Sequence, residues 1–463
     1  MPKKLLLITI FANAAYLIWL GFHVTGVLGF VFYGAEIAIG SLSLLFLINH
    51  WSQKHTFHTD GHAEGTVDIF LPIVDEPVSI FQPVLASVSA IRWSQKKIYV
   101  LDDGEREEVR ALARRHGAEY LRRPDARANG KAGNLNYGIR HSSGDFILVI
   151  DADQKVTDPT ILKETIGHFC ADPLLAVLAT RQRFNVPHAD FNHDILFYEH
   201  MQSGKNNDNA AISCGSGAIY RREALDGIGG FPTWNIVEDL YTTYLMHAAG
   251  YRSLYINKSY TLGTAPLDLA GIYKQRGVWA LDTIRMFFKD SPLAKRGLTW
   301  RQKLHYAELT YAYLVSAFAI PVISVMPIVT LLFPVRFIDD PFFYMLFRMP
   351  SLALLLWLYY RLSGNSFSTG QYWAALWPVF LKAFFLSFKK QKPAYRVTLK
   401  VGTGRRDTRL VIPHMTIAGA GLFAVGYHLG AVGLTLTLLV NSLWIGLTTF
   451  WYAPVIYKGT LKE

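Results

Sequence analysis

Gly144-Asp-Phe-Ile-Leu-Val-Ile-Asp-Ala-Asp153 opens as an aliphatic run and ends on two carboxylates two residues apart. A short β-branched run with no polar alternation is the pattern of a strand covered on both faces. Working outward, similar runs occur at Val67–Ile73, Lys97–Leu101 and Leu175–Ala179, with helix-like stretches at Glu105–His116 and Pro159–Cys170 between them. This alternation predicts a mostly parallel sheet covered by helices. Ligands of such sheets bind beyond the carboxyl ends of the strands. Two of those ends are acidic, Asp102-Asp103-Gly104 and Asp151-Ala152-Asp153.

Carboxylates spaced as Asp151 and Asp153 are can hold a hard cation that keeps phosphate oxygens among its ligands, and its charge favours departure of a diphosphate. Taken alone the triplet is equally a solvated turn. Its surroundings add chemistry. Asp102 and Asp103 can hydrogen-bond a nucleoside, and Lys131-Ala-Gly-Asn134 offers a cation beside a small residue. Val237-Glu238-Asp239 follows the turn formers Gly229-Gly-Phe-Pro232, and either carboxylate could take a proton from an acceptor hydroxyl. Gln275-Arg276-Gly-Val278-Trp279 adds an amide, a guanidinium for diphosphate and an indole face for a sugar ring.

The flanks of this middle region are of another kind. Of 463 residues 51% are hydrophobic and only 17% are charged, and the apolar runs gather toward the two ends. Leu5–Val24 and Val27–Asn49 read as a helical hairpin with almost no loop, and Leu5–Leu20 lacks a following cleavage site of the signal-peptide kind. Further spans are predicted at Leu309–Phe333, Phe342–Arg361, Pro413–Leu429 and Val432–Trp451, six in all. Gln371–Phe388, interrupted by Pro378 and carrying Lys382, reads as an amphipathic helix in the interface. The net charge of +11 sits beside the apolar runs, at Lys3-Lys4, Lys389-Lys390, Lys392, Lys400, Arg405, Arg406 and Arg409. That is the positive-inside pattern, so it argues for a lipid bilayer and against nucleic acid as partner. It also places the middle domain on the cytosolic side of the cell (plasma) membrane. Cys170 and Cys214 give no disulfide framework.

In this order the motifs resemble the processive family-2 glycosyltransferases, and among them the bacterial cellulose synthase catalytic subunits. Such proteins show Asp-Asp-Gly, Lys-Ala-Gly-Asn, Asp-x-Asp, Cys-Gly-Ser, Thr-Glu-Asp and Gln-x-x-Arg-Trp. Here they read Asp102-Asp-Gly104, Lys131-Ala-Gly-Asn134, Asp151-Ala-Asp153, Cys214-Gly-Ser216, Val237-Glu-Asp239 and Gln275-Arg-Gly-Val-Trp279. The run Arg221–Phe231 is also typical of the family, and the likeness covers roughly residues 66 to 452. Tyr395-Arg-Val397-Thr398-Leu-Lys400 resembles the gating loop of cellulose synthases.

The resemblance implies an α/β domain of the GT-A, nucleotide-diphospho-sugar transferase type, inserted in a multi-pass α-helical membrane protein with about six transmembrane helices plus interfacial helices. It implies a hairpin over 1–50, a cytosolic transferase domain over 66–292, interfacial and membrane helices over 293–388, a gating loop over 389–410 and a last hairpin over 411–463. The interfacial helices would lie near Leu267–Phe288, Thr299–Tyr306 and Gln371–Phe388. The implied activity is processive, inverting transfer of glucose from UDP-glucose to a growing β-glucan that leaves through the membrane helices. By the same resemblance Asp239 is the general base, with Glu238 beside it. Asp153, with Asp151, holds Mg²⁺ or Mn²⁺. Asp75, Glu76, Asp102, Asp103, Lys131, Asp151, Gln275, Arg276, Thr398 and Lys400 meet the donor. Cys214, Gly215 and Trp279 meet the acceptor, and Tyr395 and Val397 belong to the gate. Partners would be a UDP-sugar, the polysaccharide chain, and accessory export subunits or further copies of the chain.

Several positions depart from the family. Val278 stands where the family has arginine, so Arg276 or Lys400 would have to meet the diphosphate. Val237 replaces threonine, and Asp75-Glu76 replaces Asn-Glu. The regulatory domain that often follows the last helices in cellulose synthases is not expected after Glu463. A non-processive glycolipid transferase, a synthase of another polysaccharide, and a transport or scaffold protein with a degenerate transferase domain are the competing readings. His55, His58 and His62 read as chance clustering, and Phe184, Phe191 and Phe197 as packing.

Overall fold

The computed structural model describes residues 3–51, 63–188, 190–389 and 406–460. Nine strands follow in chain order: β1 Val67–Ile73, β2 Lys96–Asp102, β3 Glu119–Leu121, β4 Phe146–Val149, β5 Gln154–Val156, β6 Leu175–Thr180, β7 Ala218–Arg221, β8 Arg252–Ile256 and β9 Thr261–Gly263. Seven form one sheet in the order β3-β2-β1-β4-β7-β6-β8, and β5 pairs with β9 apart from it. All residues of β1, β4 and β6 are buried, as aliphatic runs without alternation require when helices cover both faces. One apolar core gathers Phe81, Val88, Leu112 and Phe169 on one side, and another gathers Leu135, Leu225 and Met246 on the other.

Pairing is parallel between β1 and β2, β1 and β4, β2 and β3, and β6 and β8. β7 is the exception, antiparallel to both β4 and β6. The chain lays β2 and β3 to one side of β1 and then returns to place β4 on the other. That reversal opens a crevice beyond the carboxyl ends of β1 and β4, where the segments carrying Asp75, Asp102 and Asp151 all emerge.

Among the described residues six helices are long and apolar enough to cross a membrane: Lys3–His23, Gly26–His50, Trp300–Leu332, Pro341–Leu362, Thr408–Ala431 and Leu436–Thr460. The third differs from the expected segmentation. Thr299 caps it together with Gln302, and it then runs through a π-helical turn, Val315–Ala319, so Thr299–Tyr306 is no separate helix. Pro321, which has no amide hydrogen to donate, follows that turn. The segment read as one interfacial helix is two, Ser368–Ala375 and Trp377–Ser387, broken ahead of Pro378. Neither reaches the ~20 residues of a crossing. The second packs along Leu269–Lys289 through residues such as Ile284 and Phe380.

The N-terminal hairpin is fastened at its turn, where Thr25 N donates to Phe337 O at 2.9 Å. Midway along it Glu36 pairs with Arg348 of Pro341–Leu362 at 3.0 Å, both buried. The Arg348 guanidinium also lies over the Tyr16 ring at 4.8 Å and the Trp444 ring at 5.7 Å.

Candidate active site

The carboxyl end of β4 is tied to the loop before β7. Gly217 N donates to Val149 O at 2.9 Å, and Asp151 N donates to Ser216 Oγ at 3.0 Å. Antiparallel β7 therefore carries Cys214–Gly217 alongside Asp151. Lys131, in the first turn of the helix Gly130–Arg140, reaches into the same place. Its Nζ lies 2.6 Å from Asp151 Oδ1 and 3.1 Å from Glu238 Oε1.

Glu238 and Asp239 begin the helix Glu238–Ala248, where unpaired amides favour negative charge. Leu240 N donates to Asp239 Oδ1 at 2.6 Å. The preceding turn is held from below, since Asp282 Oδ2 accepts from Ile236 N at 2.9 Å and Val237 N at 2.7 Å. Gly215 sits at φ +88°, and a methyl group there would come within 2.9 Å of Asp239 Oδ2 and 3.2 Å of Lys131 Nζ. Only glycine suits that backbone and that gap.

Lys131, Asp151, Gly215, Glu238 and Asp239 thus converge from four distant parts of the chain. Burial, then the Glu238 charge, pushes Asp239 up to about 8, against the pull of Lys131. Burial works against the Lys131 ammonium, yet Asp151, Glu238 and Asp239 outweigh it and hold its pKa well above the ordinary lysine value. Burial also raises Glu76, and the charges of Asp153 and Asp151 push it the same way. Val74 N donates to Glu76 Oε2 at 2.8 Å, while Asp75 pairs with Arg127 at 2.7 Å.

Other expected residues meet protein partners. Asp102, fully buried, accepts from Gly104 N at 2.7 Å, Arg106 N at 3.0 Å and Tyr120 Oη at 2.9 Å. Asp103 holds Arg123 through two bonds of 2.7 and 2.6 Å, and Arg123 Nη2 donates to Gly130 O at 3.1 Å. The pair therefore braces the start of the helix that carries Lys131. Arg276, only 5% exposed, pairs with Asp194 at 3.0 Å and lies over the Trp279 ring at 4.8 Å, so its charge is matched inside the protein. Gln275 and Trp279 are half-buried on the same helix. The Cys214 thiol is pushed well above its ordinary value by burial and lies 3.6 Å from Gln202 Nε2. Tyr395, Val397, Thr398 and Lys400 lie outside the described residues.

Sequence reasoning missed Asp282, Gln202 and Arg123, which hold the site without standing in a motif. The one available signal was a charged or amide residue interrupting an apolar helix face, as Asp282 does in Leu281-Asp-Thr283.

Among the described residues no group of three or more His, Cys, Asp and Glu side chains forms a metal cage. A cation that shares its shell with phosphate oxygens needs only one or two carboxylates. Asp151 and Asp153 could supply these, and the Lys131 ammonium 2.6 Å from Asp151 shows that this carboxylate already draws positive charge. The residues fit a divalent ion.

Comparison with known proteins bears on the family and the fold. The Glycosyl transferase family 2 model matches residues 68–229 and the Cellulose synthase model matches residues 230–376. The chain is 28% identical to the UDP-forming cellulose synthase catalytic subunit of Pseudomonas fluorescens, covering 95% of this chain and 64% of that protein. It is 36% identical to the cellulose synthase 1 catalytic subunit of Komagataeibacter xylinus, over 55% of this chain and 35% of that one. It therefore spans less than two thirds of the length of these relatives. Among solved structures, a mannosyltransferase of Pyrobaculum calidifontis, in complex with GDP-Man and Mn²⁺, superposes with a TM-score of 0.59 at 18% identity. The overlap covers 79% of this chain and all of that one, a likeness of fold.

Proposed function

The chain is a family 2 glycosyltransferase that continues into a cellulose synthase domain, and on that premise we propose that it polymerises glucose from UDP-glucose into a β-glucan. The observation that carries the reading is the meeting of Lys131, Asp151, Glu238 and Asp239 beyond the end of β4.

In this reading the terminal hydroxyl of the acceptor chain attacks the anomeric carbon of glucose. Its oxygen forms the new bond, the bond from that carbon to the diphosphate oxygen breaks with its electron pair leaving on UDP, and the configuration inverts. Asp239 takes the hydroxyl proton. A carboxylate whose pKa stands at about 8 is far better matched to that task near neutral pH than an ordinary aspartate. Glu238 keeps Asp239 hard to ionise, and Lys131 steadies the negative charges around both. Asp153 and Asp151 would hold Mg²⁺ or Mn²⁺, which supplies positive charge for the departing diphosphate. Trp279 offers its indole face to the acceptor.

The basic N-terminus and the returning hairpin support a cytosolic transferase domain in the plasma membrane, with the product leaving among the six apolar helices.

Purified protein given UDP-glucose and Mg²⁺ or Mn²⁺ should release UDP and form an insoluble glucan whose linkage methylation analysis reads. No UDP release from any nucleotide-sugar in a panel would end the proposal. Release with only a single sugar added to a lipid would favour the glycolipid reading.

A further inference from the structure

The transferase unit meets the membrane helices at a buried charge cluster that the reaction does not use. Lys205, at 0% exposure, closes the short helix Gln202–Asn206. Its Nζ lies 2.6 Å from Glu308 Oε2 and 3.0 Å from the His305 carbonyl, both on the span Trp300–Leu332. Asn49, near the end of the N-terminal hairpin, donates to both oxygens of the same carboxylate at 2.9 and 3.0 Å. Three parts of the chain therefore meet on Glu308. The backbones are close as well, since a methyl group on Gly204 would collide with Asn49 O.

One turn before Lys205 the same segment grips the catalytic loop. Gln202 Nε2 donates to Ile212 O at 2.7 Å, Ile212 N donates to Gln202 Oε1 at 3.2 Å, and the amide touches Cys214 Sγ. Residues three apart share a helix face, so Gln202 and Lys205 act from one side of a single turn. Next along the chain is Gly215, against Asp239 and Lys131. A physical path thus runs from Asn49 and Glu308 through Lys205 and Gln202 to the loop that faces the base.

A buried ion pair is weak evidence for stability, because apolar side chains of similar volume often replace one at no loss. What it does impose is a single relative placement of the groups it joins. We propose that the Lys205–Glu308–Asn49 tie is a positioning device that fixes the height of Cys214–Gly215, and with it the acceptor terminus, against the membrane helices. Resting on the polymerase reading, it sets acceptor binding and product length and leaves donor binding alone. Among the described residues, none of the three bonds to Lys131, Asp151 or Glu238.

The test pairs Lys205→Met with Glu308→Leu in the full-length protein in detergent or nanodiscs. The melting temperature and the affinity for UDP with Mn²⁺ should stay near wild type. The KM for added gluco-oligosaccharide acceptor should rise about tenfold or more, since small misplacements of reacting groups cost up to 10²-fold, and the glucan should shorten. Asn49→Ala, which leaves the ion pair standing, should shift acceptor KM the same way by less. Hydrogen exchange over residues 212–217, read in the same proteins, should quicken while β1 stays protected. Wild-type acceptor KM, product length and exchange in a stably folded double variant overturn the proposal. The exchange result holds or fails whatever the sugar chemistry. A wild-type protein that releases no UDP sinks the polymerase reading instead.

Discussion

A base that must accept a proton near neutral pH gains from an environment that resists its ionisation, and Asp239, the base in the proposed reaction, has one. Burial and Glu238 raise it to about 8, against about 4 for an aspartate in an unfolded chain. Two consequences follow with opposite sign. Turnover needs the ionised form, so kcat/KM should climb with pH and level off above about 8. Stability runs the other way. The contribution of the protonated carboxyl is complete below the unfolded value and is lost as pH rises through about 8. Asp239→Asn, a mimic of the protonated form, should therefore lower kcat by about 10²–10⁴. It should also melt higher than wild type at pH 9, with the gap narrowing below pH 8 and closing only toward pH 4. A wild-type activity profile already flat from pH 6 upward would contradict the role. At this scale the motifs named residues that the fold brings together, and left out what holds them. Lys131, Asp151 and Asp239 stand in recognisable triplets. Asp282 and Gln202 act on backbone amides and carbonyls, and a partner of that kind leaves no pattern in sequence. The buried counter-ion of Arg276, Asp194, lies 82 residues away and was equally invisible.

Elements were legible where one physical rule governed them. Strands β1, β2, β4 and β6 appear within a residue or two of their predicted bounds, because a doubly covered strand is a near-continuous apolar run. Strand β7 escaped notice, being four residues long and hidden behind the Cys214–Gly217 turn. Its reversed direction is what carries that turn to Asp151. The long helix Trp300–Leu332 was divided in two because its polar first turns read as interfacial. Hydropathy marks where lipid begins, and a helix need not begin there. The start of the helix Glu238–Ala248 offers a test at this scale. Asp282→Ala removes the acceptor from two backbone amides, an alteration costing about 1–3 kcal/mol when such groups stay buried. The Glu238–Asp239 pair should loosen, so on the proposed reading kcat should fall while UDP affinity, measured by calorimetry, is retained. A variant with unaltered kcat would show that the turn holds without it.

Across the whole molecule, charge and hydropathy were enough to number the apolar helices and to set the transferase domain between them. They gave no sign of how the helices pack, because Glu36 and Arg348 read as isolated charges until their helices are laid side by side. Charge at membrane depth is kept only when paired. Arg348→Met alone should lower the detergent melting point markedly, as loss of one partner of a buried pair costs about 3–5 kcal/mol. Adding Glu36→Leu should recover much of it. A single variant as stable as the double would mean that the pair is exposed to water. The N-terminal hairpin is in fact fastened at three heights, by Thr25 to Phe337 at its turn, by Glu36 to Arg348 midway and by Asn49 to Glu308 at its base. None of these attachments depends on the peptide bonds that lead from residue 51 to residue 63. A gene cut between codons 56 and 57 should consequently yield two polypeptides that co-purify and complement each other in trans, with the first two helices behaving as a detachable subunit.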